Sequence, residues 1–132
     1  MKVKIDTREK FHVITINEPA LAANMTAELN EYMASTQQNG VKNVVLNLQD
    51  IKNIDNAAAE TLVKMQQSFY ENNASFVICG LSKEVEKFLD EDGLLELMNT
   101  TPTESEASDI VQMEEIEREL LDGDDMEFDK KA

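Results

Sequence analysis

The chain has 132 residues, 27 of them acidic and 12 basic, for a net charge of −15, and it contains one cysteine. That length makes one domain, large enough to bury about two-thirds of its unfolded surface without staples, and a single cysteine excludes an internal disulfide. The acidic balance, with no stripe of Lys or Arg to offset it, argues against nucleic acid as a direct ligand.

Val3, Ile5 and Thr7 alternate with Lys2, Lys4 and Asp6, the period of a strand with one solvated face. A second strand is predicted over about Phe11 to Ile16, and the short connection at Arg8 to Lys10 pairs the two as a hairpin. His12, the only histidine, reads as a strand residue on the solvated face, since no Cys or Ser lies near it in sequence to act as a nucleophile. The opening residues lack the continuous apolar core of a signal peptide, and no run approaches membrane-spanning length. The expected location is therefore cytoplasmic, without membrane insertion. Pro19 ends the extended segment, and a helix is predicted from about Ala20 to Gln38, with Leu21, Met25, Leu29 and Tyr32 or Met33 as its apolar stripe. Gly40, tolerant of a left-handed conformation, terminates it.

Val44, Val45, Leu46 and Leu48 form a short apolar run bounded by polar residues, as expected for a central strand buried on both faces. After a loop from Gln49 to Asn53 come Ile54, Asp55 and Asn56. The last two carry short side chains that accept hydrogen bonds from the free N–H groups of a starting helix. Ala58, Leu62, Met65 and Phe69 fall at i, i+4, i+7 and i+11, one face of an amphipathic helix. A third apolar strand covers Phe76 to Cys79, which makes Cys79 a small core hydrophobe rather than a reactive thiol.

Pro102 and the surrounding Thr and Ser residues mark a turn. Beyond it a helix is predicted over 104–121, with Ile110, Met113, Ile116 and Leu120 at helical spacing and Val111 and Leu121 beside them. Its apolar face packs on the domain itself, or docks on a partner or a second copy, so a homodimer stays open. The segment 122–132 reads as a solvated, mobile acidic tail. Its Asp cluster lacks the spacing of a calcium loop, so no metal is assigned. Residues 104–132 hold 12 acidic and 3 basic residues, −9 of the total charge.

The segment VVLNLQDIKNIDNAA resembles the hallmark of the STAS domain, the family named for sulfate transporters and anti-sigma factor antagonists, whose pattern is "vvlDlsgvtfiDSsG". FVICGLSKEVEKFLDEDGLLELM is similar to its later "lvlvgvspevrrlleltGLdelf", including Gly93-Leu94. The resemblance covers about residues 2–100. It implies an α/β fold with a mixed four- to five-stranded sheet and helices mainly on one face; with the C-terminal helix read from its spacing, the chain is organised as a domain over 1–100, an amphipathic helix over 101–121 packed on or beside it, and the tail over 122–132. In stand-alone members the hallmark Ser is phosphorylated by an anti-sigma factor that is also a kinase, and the added charge decides whether the two proteins bind. Here Asn56 stands at that position, Ala57 and Ala58 replace the following Ser and Gly, and Asn47 replaces an Asp common in the preceding strand. Asn does not accept phosphate, and it is uncharged like the unphosphorylated Ser.

The resemblance implies a partner-binding surface at Asp55, Asn56, Ala57 and Ala58, with an anti-sigma factor or kinase-like protein as partner and no phosphoswitch at Asn56. An alternative within the family is an accessory subunit that binds the ATPase of an ATP-driven lipid transporter. The bland reading of Asp55-Asn56 is helix capping alone, stabilising by roughly 1 kcal/mol. No nucleophile elbow, metal-ligand cluster or phosphate-cradling glycine loop is found, so neither an enzyme nor a cofactor is expected. Carboxylate pairs such as Asp50 and Asp55 could meet across the loop, but Asp55 has a capping role and Asp50 an ordinary loop one.

Overall fold

Apolar residues recurring alternately or in unbroken runs build the strands of this chain, and those at helical spacing build the layers that cover them. The computed structural model describes residues 1–37 and 40–131. Gln38, the expected end of the first helix, and Ala132, the end of the expected tail, lie outside them.

β1 (Val3–Thr7) pairs antiparallel with β2 (Phe11–Ile16), the hairpin expected from the sequence. β2 then pairs parallel with β4 (Asn43–Asn47), β4 with β6 (Phe76–Cys79), and β6 with the short β7 (Thr100–Thr101). The result is a mixed five-stranded sheet in the order β1-β2-β4-β6-β7. Every residue of β2, β4 and β6 is buried, because both faces of the sheet are covered, and this is why their sequences run apolar instead of alternating.

The register fixes which residues meet which layer. Ile14, Leu46 and Ile78 lie side by side across three strands. They pack with Leu29 and Met33 of α1 (Thr26–Gln37), with Ala58, Leu62 and Phe69 of α2 (Asn56–Glu71), and with Val85 and Leu89 of α3 (Lys83–Glu91). Val13, Val45 and Val77 form the corresponding row on the opposite face, against Ala107 and Val111 of the C-terminal helix α4 (Glu104–Lys131). Three helices thus cover one face and the C-terminal helix covers the other.

Four sequence expectations are revised. The first helix starts at Thr26, not Ala20: Ala20–Leu21 form β3, paired parallel with β5 (Asn53–Ile54), and a 3-10 turn over Ala23–Met25 follows. Leu21 is buried in either arrangement, so its helical spacing to Met25 and Leu29 carries no information about the backbone. His12 is not on a solvated face but wholly buried. Its Nε2 lies 3.0 Å from the Thr36 carbonyl oxygen and 2.9 Å from that of Val41, and its Nδ1 lies 3.0 Å from Thr7 Oγ1. Two carbonyls at Nε2 require the proton there, leaving Nδ1 to accept from the Thr7 hydroxyl. The ring therefore ties β2 to the end of α1.

The other two revisions concern α4 (Glu104–Lys131), which runs ten residues past the expected end at Leu121 and takes in all but the last residue of the expected tail. That extension holds one Gly, worth about 1 kcal/mol against a helix, and no Pro, so nothing in it forces a stop. The buried stripe of α4 is Ala107 and Val111 with half-buried Ile110, whereas Met113, Ile116, Leu120 and Leu121 face outward. Small residues approach the sheet closely, and the larger apolar ones are turned away from it.

Polar contacts pin α4 at its start and near its middle. Near its start Asn47 Nδ2 donates to Glu104 Oε1 (3.2 Å). Farther along, Arg118 donates to Asn43 Oδ1 (3.0 Å) and Ser75 Oγ (3.1 Å), and Lys10 pairs with Glu119 (3.1 Å). Since β4 runs from Asn43 to Asn47, α4 crosses it in the opposite sense.

Candidate functional site

The hallmark segment sits at the carboxyl ends of the parallel strands, where β4 gives way to a loop and then to α2. The miniature sheet of β3 and β5 anchors that loop. The Pro19 carbonyl accepts from Lys52 N (2.6 Å) and Asn53 N (3.2 Å), and Asp55 N donates to the Leu21 carbonyl (3.2 Å). The backbone of 52–55 is therefore held by the segment before α1, a long-range constraint that local patterning does not reveal.

Asp55 is the N-cap of α2, as expected, and it does more than cap. Its Oδ1 accepts from Ala58 N (2.7 Å), and its Oδ2 accepts from Ala23 N (2.9 Å) in the 3-10 turn. One carboxylate so joins two helix starts that are 32 residues apart in sequence. Both oxygens are engaged with the protein's own amides, which makes Asp55 a positioning group for the surface around it.

Asn56, the first residue of α2, is exposed, and its Nδ2 lies 3.3 Å from Glu60 Oε1 one turn on. Ala57 is exposed as well. Ala58 is 0 % exposed, with its methyl in the core, so it leaves the expected partner surface and belongs only to the buried stripe. What faces solvent at the start of α2 is Asp55, Asn56, Ala57 and Glu60, with Thr61 and Lys64 on the following turns. Thr61 and Lys64, together with Thr26 and Asn30 of α1, line a shallow groove of about 340 Å³ between the two helices.

Asn47 lies elsewhere. It alternates with Leu46 and Leu48, which enter the core under α2, so its side chain turns to α4 and not toward Asn56. It is 5 % exposed, donates to Glu104 and accepts from Gln49 N (2.9 Å). Gly80, at φ +75°, packs against it: a Cβ there would stand 3.0 Å from Asn47 Oδ1, and only glycine holds that backbone without strain.

Asp50 and Asp55 do not form a pair, since Asp50 Oδ2 accepts from Asn17 Nδ2 (3.0 Å) while Asp55 serves the two amides. Among the described residues no group of three or more His, Cys, Asp or Glu is placed to hold a metal ion, and no helix is long and apolar enough to cross a membrane.

Cys79 is fully buried, and burial, with the charge of Glu104 as a lesser cause, pushes its thiol up to about 12 from 9.0. Tyr70 is likewise raised to about 12 from 10.0, by burial first and then by its hydrogen bond to the Glu114 carboxylate. Groups raised in the folded state lend stability that is whole below the unfolded pKa and is lost as pH climbs toward the folded one. Stability is therefore expected to hold up to about pH 9 and to fall between there and pH 12. Iodoacetamide at mild alkaline pH is expected to leave Cys79 unmodified until urea unfolds the chain. Labelling of the folded protein at the unfolded rate would contradict this burial.

The STAS domain family matches residues 2–107 of the chain. The anti-sigma-B factor antagonist of Staphylococcus aureus is 21 % identical over 99 residues, covering 75 % of this chain and 91 % of that protein. Among solved structures, a singly substituted form of RsbS from Moorella thermoacetica superposes with a TM-score of 0.69 at 20 % identity, over 85 % of this chain and 96 % of the other. The murine anion transporter Slc26a9 in its inward-facing state superposes at 0.63 with 17 % identity, over 79 % of this chain and 18 % of the transporter.

Proposed function

Because the chain belongs to the STAS domain family, we propose that it is a regulatory binding module similar to an anti-sigma factor antagonist, which engages a kinase-like anti-sigma factor through the start of α2. Asn56 carries this reading: it is exposed, uncharged and unable to take a phosphate, at the position where the family hallmark has Ser. The surface stays in the state that resembles the unphosphorylated Ser, and binding is governed by abundance and not by modification at that residue. Ala58 supports the surface from beneath and Asp55, itself exposed, fixes it from the side, while Asn56 and Ala57 meet the partner. The amide donors of a helix start favour acidic groups on that partner.

The test is affinity capture of the tagged protein from its native cells, wild type against Asn56→Asp, with bound proteins identified by mass spectrometry. The substitution keeps the side-chain volume. It adds a charge the helix start tolerates, and the repulsion from Glu60 at i+4 is only about 0.2–0.5 kcal/mol, so the fold is retained. Recovery of a kinase-like anti-sigma factor by the wild type and its loss from the variant is expected. Recovery of a transporter ATPase would replace this reading with the accessory-subunit one, and equal capture by both proteins would remove Asn56 from the interface.

A further inference from the structure

On the face of the sheet opposite α2, α4 presents an apolar ridge to solvent. Met113, Ile116, Leu120 and Leu121 are 59 %, 53 %, 58 % and 65 % exposed. Asp109, Met113, Ile116 and Leu120 fall at i, i+4, i+7 and i+11, a single helical face, with Glu117 beside Met113 and Leu120. These side chains have no role in holding α4 on the sheet, which Ala107, Val111 and Arg118 perform from the other side of the helix. Three acidic residues of α4 are engaged away from the ridge. Glu114 meets Tyr70, Glu115 meets Arg118, and Glu119 meets Lys10. Asp109 and Glu117 share the ridge face and form no ion pair among the described residues.

Three occupants are open to such a ridge, and its charge separates them. A second copy would set Asp109 and Glu117 against the same carboxylates of a chain that also carries −15. An anionic lipid surface meets the same repulsion. A positively charged helix with its own apolar stripe meets no such repulsion, since its leucines cover the ridge and its Lys or Arg residues reach the carboxylates flanking it.

We propose that the outward face of α4 is a docking surface for a cationic amphipathic helix of a partner protein, seated on Met113, Ile116 and Leu120 and oriented by Asp109 and Glu117. The surface is separate from the start of α2, so it stands or falls independently of the function proposed above.

The probe is a fluorescent synthetic peptide of about 18 residues with leucines at i, i+3, i+4 and i+7 and lysines on the flanks, titrated with the full chain and read by anisotropy. Binding to the wild type is expected, weakened about tenfold or more by Ile116→Gln with Leu120→Gln. Leu97→Gln, at an exposed leucine away from α4, should leave it unchanged, as should Asn56→Asp. The same peptide with glutamates in place of the lysines should not bind. Circular dichroism checks that the doubly substituted chain is folded, which the exposure of both residues favours. Equal affinity for wild type and double variant, or binding of the glutamate peptide, would overturn the proposal. Sedimentation showing a wild-type dimer that the double variant abolishes would overturn it too, by assigning the ridge to a second copy.

Discussion

Replacing Asp55 with alanine is expected to destabilise the protein by about 2–3 kcal/mol and to lower Tm by roughly 10 °C. An ordinary N-cap is worth about 1 kcal/mol, but this carboxylate also holds Ala23 N with its second oxygen. Its loss therefore leaves two amides without their partner. Asp55→Asn should fall between the two, near 1 kcal/mol, because an amide side chain keeps one acceptor oxygen and must turn an NH₂ toward the other site. Amide hydrogen exchange separates capping from bridging. In Asp55→Ala both Ala58 and Ala23 should exchange faster, whereas a residue that merely caps would change Ala58 alone. If Ala23 keeps its wild-type protection, the junction between the two helix starts is held by something other than Asp55.

This result bears on function because the Asp55 carboxylate is one of the supports that hold Asn56 and Ala57 in place. The start of α2 is positioned by backbone bonds from Pro19 and Leu21 and by the Asp55 carboxylate. Loosening it should blur the partner surface even where the fold survives. Asp55→Ala would then weaken partner capture without changing any exposed side chain at Asn56 or Ala57. A binding defect in Asp55→Ala that comes with faster exchange at Ala23 and Ala58 is thus read as loss of positioning, and one in Asn56→Asp as an added charge on the surface itself.

The legible parts of this fold are those fixed by short-range periodicity. β2, β4 and β6 announce themselves as unbroken apolar runs, and Ala58, Leu62, Met65 and Phe69 as one helical stripe, because burial on both faces or on one leaves a direct pattern. The cap at Asp55 is legible too, since capping is a local hydrogen bond. Contacts that join distant segments are not. The pairing of Ala20–Leu21 with Asn53–Ile54 has two residues per strand, too few to produce a period. The burial of His12 depends on carbonyls supplied by Thr36 and Val41, which no pattern around residue 12 encodes. In α4 the spacing of large apolar residues identifies the helix but points to the wrong face, because the sheet accepts Ala107 and Val111 at close approach and the larger side chains follow the outer surface. Volume, which periodicity ignores, decides that orientation.

Asn47 shows the same limit at a single residue, and it yields the second large expected effect. Where the family hallmark favours Asp, this chain has Asn, and the structure supplies a reason in the Glu104 carboxylate 3.2 Å from Asn47 Nδ2. Asn47→Asp converts that donor into an acceptor and sets two carboxylates against each other at a position 5 % exposed, while the bond from Gln49 N survives. The expected loss at neutral pH is about 1–3 kcal/mol, the range for a buried polar group that loses its partner, and it should appear as a Tm lowered by several degrees. The sign of its pH dependence follows from the same geometry. Burial and a like charge raise the pKa of the new carboxyl above its unfolded value, so the protonated form, which donates to Glu104, is favoured by folding. The deficit relative to wild type should therefore be full near pH 7 and shrink toward pH 4, opposite to the behaviour of a carboxylate that accepts a salt bridge. Removing the acid opposite, by Glu104→Gln in the Asn47→Asp background, should restore most of the lost stability. A deficit independent of pH, or one that Glu104→Gln leaves intact, would mean that the strand tolerates or rejects Asp for reasons unrelated to α4, and the link between the start of that helix and the centre of the sheet would have to be sought elsewhere.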